Sequence, residues 1–253
     1  MTARSRPAST AILEGLVQHG IDPRVAPALE ELVALFETWN RSINLSSART
    51  PEAIAEHVVD SLAIVPHLLA AHAASVGSSP PSSPEQPPAP AKSMSSPDAT
   101  GKVAPSLGSP AATSPTDPAL LPSALRVLDV GSGGGFPVVI AAACVPTAEF
   151  VSLEPVHKKH AFLRTAARTL SLTNLAAFAE RIEDHEPSDY DVAMSRATFD
   201  LPAWLQLGSS KVRSGGWVLG FEAIPTELPD SAVRFPYHFH EKSRAIIRLI
   251  KIE

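Results

Sequence analysis

Arg126-Val127-Leu128-Asp129-Val130-Gly131-Ser132-Gly133-Gly134-Gly135-Phe136-Pro137 is the stretch that decides how this 253-residue chain is read. A short apolar run carries an acid near its end, four glycines follow within five positions, and Val138, Val139 and Ile140 come after the proline. The pattern predicts a buried strand, a tight turn and the start of a helix. Glycine suits such a turn because it accepts positive φ and leaves no Cβ in the path of a ligand. The free N–H groups of the following helix point into the turn, and Pro137 suits a first helical position, where its missing N–H costs nothing. Strand, turn and helix form the first half of a nucleotide-type βαβ unit.

The spacing then narrows the ligand. A dinucleotide fingerprint needs a third small residue for close helix packing; counted from Gly131 that position is Phe136, and from Gly133 it is Val138. A phosphate loop needs G-x-x-x-x-G-K-[ST], which the chain lacks. What remains is the D-x-G-x-G-x-G turn of S-adenosylmethionine-dependent methyltransferases, favoured here over a dinucleotide site. The run Glu149 to Glu154 reads as the next strand, ending in a carboxylate nineteen residues after Gly135. An acid at about that distance accepts the ribose hydroxyls, so Glu154 is the candidate for that role; capping the helix that begins near Pro155 is the simpler alternative.

Composition bounds the rest. The net charge of −5 argues mildly against bulk electrostatic binding of nucleic acid, so an RNA substrate requires basic residues gathered on one face. Lys158, Lys159, Arg164 and Arg168 on one expected helix, with Arg181, Arg196, Lys211 and Arg213, could supply it. Met1 to Pro7 lacks the apolar stretch of a secretory signal, and no run approaches the roughly 18 apolar residues of a membrane span. The single cysteine, Cys144, excludes an internal disulfide and reads as a core residue of the helix after the turn. A cytoplasmic chain without membrane partners is expected. His157-x-x-His160 encloses two lysines, and His238 with His240 lacks a third ligand, so no metal is assigned.

Residues 1–74 are expected to form a helical cap. One helix is capped by Ser9 or Thr10 and stops at Gly20, a second opens at Asp22-Pro23, and a third at Thr50-Pro51, with Pro66 expected to kink or divide it. Residues 75–123 hold twelve of the 25 prolines and too little apolar surface to offset ordering, so disorder is expected there. Residues 124–253 then alternate strands with helices, with strands at Asn174 to Ala179, Tyr190 to Ser195 and Trp217 to Glu222, and helices at Val156 to Leu170 and Leu201 to Val212. Val233 to Phe239 and Ala245 to Ile252 should close the sheet as an antiparallel pair. The fold class is α/β, a Rossmann-like class I methyltransferase sheet with ligands at the carboxyl ends of its strands.

With these residues in view, the chain resembles the glucose-inhibited division protein B family, the 16S ribosomal RNA guanine-N7 methyltransferases. Trp39-Asn40-x-x-Ile43-Asn44-Leu45 and His57-x-x-Asp60-Ser61-Leu62 resemble the family's cap motifs; Lys158-Lys159-x-Ala161-Phe162-Leu163 and Ser195-Arg196-Ala197 resemble its sheet motifs. The resemblance omits the proline-rich segment. It implies S-adenosylmethionine as cofactor and cofactor contacts at Gly131 and Phe136 in the turn, Ile182 and Glu183 after the third strand, and Arg196 after the fourth; Gly133 of the same turn is a further cofactor-binding candidate. Glu183 would accept from the adenine amine, with an arginine ion pair as its alternative; Arg196 would meet the cofactor carboxylate or an RNA phosphate, or serve only as an ion pair. His57, Asp60 and Ser61 are candidates for bridging the cap to substrate, or for helix packing alone. The implied partner is small-subunit ribosomal RNA or its particle, with a monomeric enzyme. Guanine N7 carries no proton, so no catalytic base is assigned. Two departures pull the other way: Glu222-Ala223 stands where the family has Lys-Gly, and Glu56 where it has arginine. They leave open a methyltransferase for another RNA or a small molecule, or a cofactor-binding assembly factor without catalysis.

Overall fold

A computed structural model describes residues 7–77, 124–186, 188–239 and 242–252. Seven strands form one sheet in the order β3-β2-β1-β4-β5-β7-β6. β1 (Leu125–Val130), β2 (Ala148–Leu153), β3 (Leu175–Phe178), β4 (Tyr190–Ser195) and β5 (Val212–Glu222) run parallel. β6 (Ala232–Phe239) and β7 (Lys242–Ile250) are the expected closing pair, with β7 slotted antiparallel between β5 and β6. β1 pairs with β2 on one side and β4 on the other, so the strand order reverses there and opens a crevice at the carboxyl ends.

Alternate residues of the strands feed two cores, as a two-residue period requires. Val127, Phe150, Val192, Met194 and Leu219 face one core with α5 (Val138–Cys144), α6 (His157–Thr169) and the cap. Leu128, Val130, Leu153, Ala193 and Val218 face the other, covered by Trp204 and Leu205 of α7 (Leu201–Ser209). Cys144 lies partly buried against the first core, and burial pushes its thiol up to about 12, which keeps it protonated.

The cap contains four α-helices where three were expected: α1 (Ala8–Gln18), α2 (Ala26–Ile43), α3 (Pro51–Leu62) and α4 (Val65–Gly77), with a 3₁₀ turn at Pro23–Val25. The division falls at Ala63-Ile64, and Pro66 sits in the first turn of the new helix, where its missing donor is tolerated. Pro51–Ser75 is long and apolar enough to cross a membrane by composition, yet Ile54, Val58, Leu62 and Leu68 are fully buried in the protein. α4 carries through Gly77, into the segment expected to lack structure; the remainder of that expectation, residues 78–123, lies outside the described residues.

Two further differences have local causes. β5 begins at Val212 rather than Trp217, because Gly215 takes φ +74° and lets a bulge pass while the strand stays paired. Pro137 caps α5 instead of opening it.

The cap docks through aromatic rings. Phe36 lies 4.9 Å from Phe136 and edge-on to Phe162 at 5.6 Å, and Trp39 meets Phe162 at 5.8 Å. Phe36→Ala should therefore lower stability by about 3–5 kcal/mol in equilibrium urea unfolding; a cost below about 1 kcal/mol would mean that the cap is not packed on the turn as described.

Candidate functional site

The turn after β1 is built from what it must approach. Gly131 has φ +72°, and a Cβ there would collide with the Thr198 side chain. Thr198 Oγ1 lies 3.1 Å from the Gly131 carbonyl and 3.3 Å from that of Arg196, joining the ends of β1 and β4. On the cap side a Cβ at Gly134 would fall 2.5 Å from Phe36, so the same turn is pressed by both layers.

Two adjoining cavities flank Gly131, Pro155 and Thr198. The larger, of about 410 Å³, is lined by the turn, Phe136, Glu154, Lys159 and Arg196 from the sheet side and by Leu45, Ser46 and His57 from the cap. The smaller, of about 250 Å³, lies over Leu153 and Val130 and is walled by Glu180, Arg181, Ile182, Glu183 and Phe199. Gly131, Gly133, Phe136, Glu154, Ile182, Glu183, Arg196 and His57 are thus gathered around one crevice. Asp60 and Ser61 are buried behind it and line neither cavity.

Glu154 takes backbone donors from two sides. Oε1 accepts from Val156 N at 2.9 Å, just ahead of α6, and Oε2 accepts from Gly133 N at 2.8 Å. Each oxygen keeps a lone pair for a further donor on the cavity side. Ile182 is buried, whereas Glu183 is exposed and, among the described residues, has no hydrogen-bond or ion-pair partner, so the arginine pair considered for it is not formed.

Arg196 crosses from sheet to cap. Its Nη1 donates to Asp60 Oδ2 at 3.3 Å and Ser61 Oγ at 3.2 Å, and its guanidinium lies 5.4 Å from the Phe136 ring. Burial disfavours its charge, and Asp60 opposes that effect. Asp60 also accepts from Arg244 Nη1 at 3.3 Å and from the Tyr237 hydroxyl at 2.9 Å. One carboxylate of α3 therefore meets the residue that follows β4 together with β6 and β7, and Asp60 and Ser61 both hold Arg196. His57 stacks on Phe136 at 5.6 Å, and burial, with Arg196 nearby, lowers its pKa below that of a free imidazole.

The cap motif around Asn40 serves the cavity indirectly. Asn40 accepts from Ser46 N at 3.0 Å and donates to Ala48 O at 2.5 Å. Arg49 donates to Asn40 O and to the Asn44 side chain. These bonds fix the loop that brings Leu45 and Ser46 to the rim.

Glu222 changes meaning in three dimensions. It is buried and takes two bonds from Arg234, at 2.6 and 2.9 Å, plus one from Thr226 N at 3.0 Å. Arg234 thus neutralises Glu222 within the protein.

Asp129, the acid of β1, is fully buried. Among the described residues neither carboxylate oxygen makes a well-formed hydrogen bond, and burial pushes the carboxyl up to about 7 against the opposing pull of the nearby Ser132 hydroxyl and of Arg196. An unbalanced acid directly beneath the turn suits a cationic ligand above it. Its position as the first residue of D-x-G-x-G-x-G was the signal that could have found it.

The pH dependence of stability follows. An Asp129 pKa raised from 3.8 to about 7 on folding means that this group binds more protons in the native state across that window, so its contribution to stability falls as pH rises from about 4 to about 8. Asp129→Asn should gain relative to wild type over that range, by up to about 4 kcal/mol. A difference that stays constant between pH 4 and 8 in urea unfolding would show that Asp129 does not titrate in this way.

Comparison with known proteins gives the site its context. Residues 118–227 match the family model described as rRNA small subunit methyltransferase G. A ribosomal RNA small subunit methyltransferase G from Burkholderia mallei is 30% identical over 252 residues, covering 92% of this chain and 88% of the relative, and one from Burkholderia pseudomallei matches to the same extent. Among solved structures, the S-adenosylmethionine-dependent methyltransferase SibL is 17% identical over 51% of each chain, with a TM-score of 0.44. An S-adenosylmethionine-dependent O-methyltransferase from Thermotoga maritima is 13% identical over 51% of this chain and 59% of its own, with a TM-score of 0.39. On the identity and span shared with the Burkholderia proteins, the chain belongs to the ribosomal RNA small subunit methyltransferase G family.

Proposed function

We propose that the chain transfers the methyl group of S-adenosylmethionine to N7 of a guanine in small-subunit ribosomal RNA. The observation that carries this reading is the join of two cavities at Gly131 and Thr198, one walled by the sheet and the other shared between sheet and cap. The residues fit the cofactor. Glu154 offers acceptors for ribose hydroxyls, the Ile182 and Phe199 side chains offer apolar walls for a purine, and Arg196 offers a guanidinium for the amino-acid carboxylate. Asp129, buried behind the turn, would be drawn toward its charged form by a ligand that carries a sulfonium and an ammonium.

When bound, S-adenosylmethionine supplies an electrophilic methyl carbon. The residues of the chain then have two tasks, positioning and exclusion of water. Phe136 and His57, stacked on each other, present flat rings at the cap wall, suited to holding a base displaced from its RNA stack. Guanine N7 has no proton to remove, so no general base is needed. A lowered His57 pKa keeps that imidazole neutral beside a purine that becomes cationic on methylation, which avoids like-charge repulsion. Lys159 at the rim and exposed Lys158 beside it can meet phosphate. The Arg234–Glu222 pair removes the electrostatic objection that a free Glu222 would raise. Both walls come from one chain, so a monomer suffices, with residues 7–77 acting as the cap, and a ribosomal substrate places the reaction in the cytoplasm.

The test is transfer of labelled methyl from S-adenosylmethionine to small-subunit particles and to naked RNA from cells lacking their own enzyme, with the modified base mapped. Label at a guanine N7 in a single-stranded loop is the expected result. Absence of label from both substrates, with cofactor binding verified separately, would overturn the assignment.

A further inference from the structure

Asp60 divides its two oxygens unequally, and the division bears on Arg196. Oδ1 accepts from the Tyr237 hydroxyl at 2.9 Å, while Oδ2 takes Nη1 of both Arg196 and Arg244, each at 3.3 Å. Tyr237 and Arg244 stand directly opposite each other across β6 and β7. Directly opposed residues share one face of an antiparallel pair, so the closing hairpin brings a phenol and a guanidinium to the same buried carboxylate. Burial, with the Asp60 charge adding to it, pushes the phenol of Tyr237 well above its ordinary range, so it stays protonated and keeps donating.

This arrangement decides how tightly Arg196 is held. A guanidinium and a carboxylate pair most strongly as a fork, with two parallel N–H···O bonds to both oxygens. With the phenol on Oδ1 and Arg244 sharing Oδ2, that fork is closed to Arg196, which keeps a single nitrogen on Asp60 and Ser61. Its guanidinium lies 5.4 Å from the Phe136 ring centre and 5.9 Å from that of Phe221, contacts that steady the group without using its donors. Nε and Nη2 make no hydrogen bond among the described residues, and Arg196 lines the larger cavity. An arginine held by one corner keeps its other donors for an oxyanion, and a full fork onto Asp60 would compete with that use.

We propose that Tyr237 is a positioning residue for methyl transfer: by occupying Asp60 Oδ1 it denies Arg196 the tight fork and keeps the guanidinium available to an oxyanion in the larger cavity. The inference rests on the reading of the crevice given above and deepens it with a residue from the closing hairpin. The oxyanion is the carboxylate of the cofactor or a phosphate of the RNA, and the two sources are separable by experiment.

The test is Tyr237→Phe in the full chain, which keeps the ring and removes only the hydroxyl. With Oδ1 freed, Arg196 can close its fork on Asp60, so binding and stability should part company. The urea-unfolding midpoint should hold or rise, while oxyanion binding falls about tenfold. Calorimetry with S-adenosylhomocysteine reads the carboxylate, and KM for small-subunit RNA at saturating S-adenosylmethionine reads the phosphate. A loss confined to the first assigns the carboxylate to Arg196, and a loss confined to the second assigns the phosphate. A hydroxyl that serves packing alone would instead leave Asp60 Oδ1 buried without a donor, at a cost in stability. Wild-type affinity in both arms, or a loss of affinity matched by an equal loss of stability, overturns the proposal. Wild-type protein that binds neither S-adenosylhomocysteine nor RNA would overturn the reading of the crevice itself.

Discussion

The position after β1 has no room for a side chain, and much of the site follows from that constraint. Gly131 turns the chain at positive φ directly against Thr198, so the ends of β1 and β4 approach within one hydrogen bond of each other. With those ends closed together, the N–H of Gly133 reaches the Glu154 carboxylate at the end of β2. Three strand ends and the turn thereby form one concave rim at the point where the strand order reverses. The cap completes it from above, and Phe36 occupies the space that a side chain at Gly134 would need.

Charge is arranged around that rim in local pairs rather than as a broad field. Asp60 gathers Arg196, Arg244 and Tyr237, and Glu222 gathers Arg234 and the Thr226 amide. Buried ions are tolerated when each has a partner and its remaining bonds are satisfied. The first cluster ties the cap to the closing hairpin while leaving Arg196 on the cavity wall; the second neutralises an acid that in the linear chain looks hostile to RNA. A net charge of −5 is therefore compatible with a rim that offers Lys158, Lys159 and Arg196.

The sheet and the turn were legible because their signals are local and periodic. The apolar run ending in Asp129 and the glycine spacing defined β1 and its turn, Tyr190 to Ser195 was found to the residue, and most candidate site residues lay on the loops where parallel strands end. The misread features depend on partners distant in sequence or on single backbone angles. The early start of β5 rests on positive φ at Gly215. The division of α3 from α4 was signalled by Pro66, but the break falls before it, since proline fits a first turn. Asp60 and Ser61 were open between substrate and packing, and the contacts that Asp60 makes with Tyr237 and Arg244 come from strands far along the chain, which no local pattern announces.

The most direct measurement is a crystal structure of the chain with S-adenosylhomocysteine. The ribose hydroxyls should lie on Glu154, the purine over Leu153 and Ile182, and the amino-acid portion along the glycine turn beside Arg196. A ligand bound elsewhere, or one whose purine lies outside the cavity between Pro155 and Ile182, would contradict it.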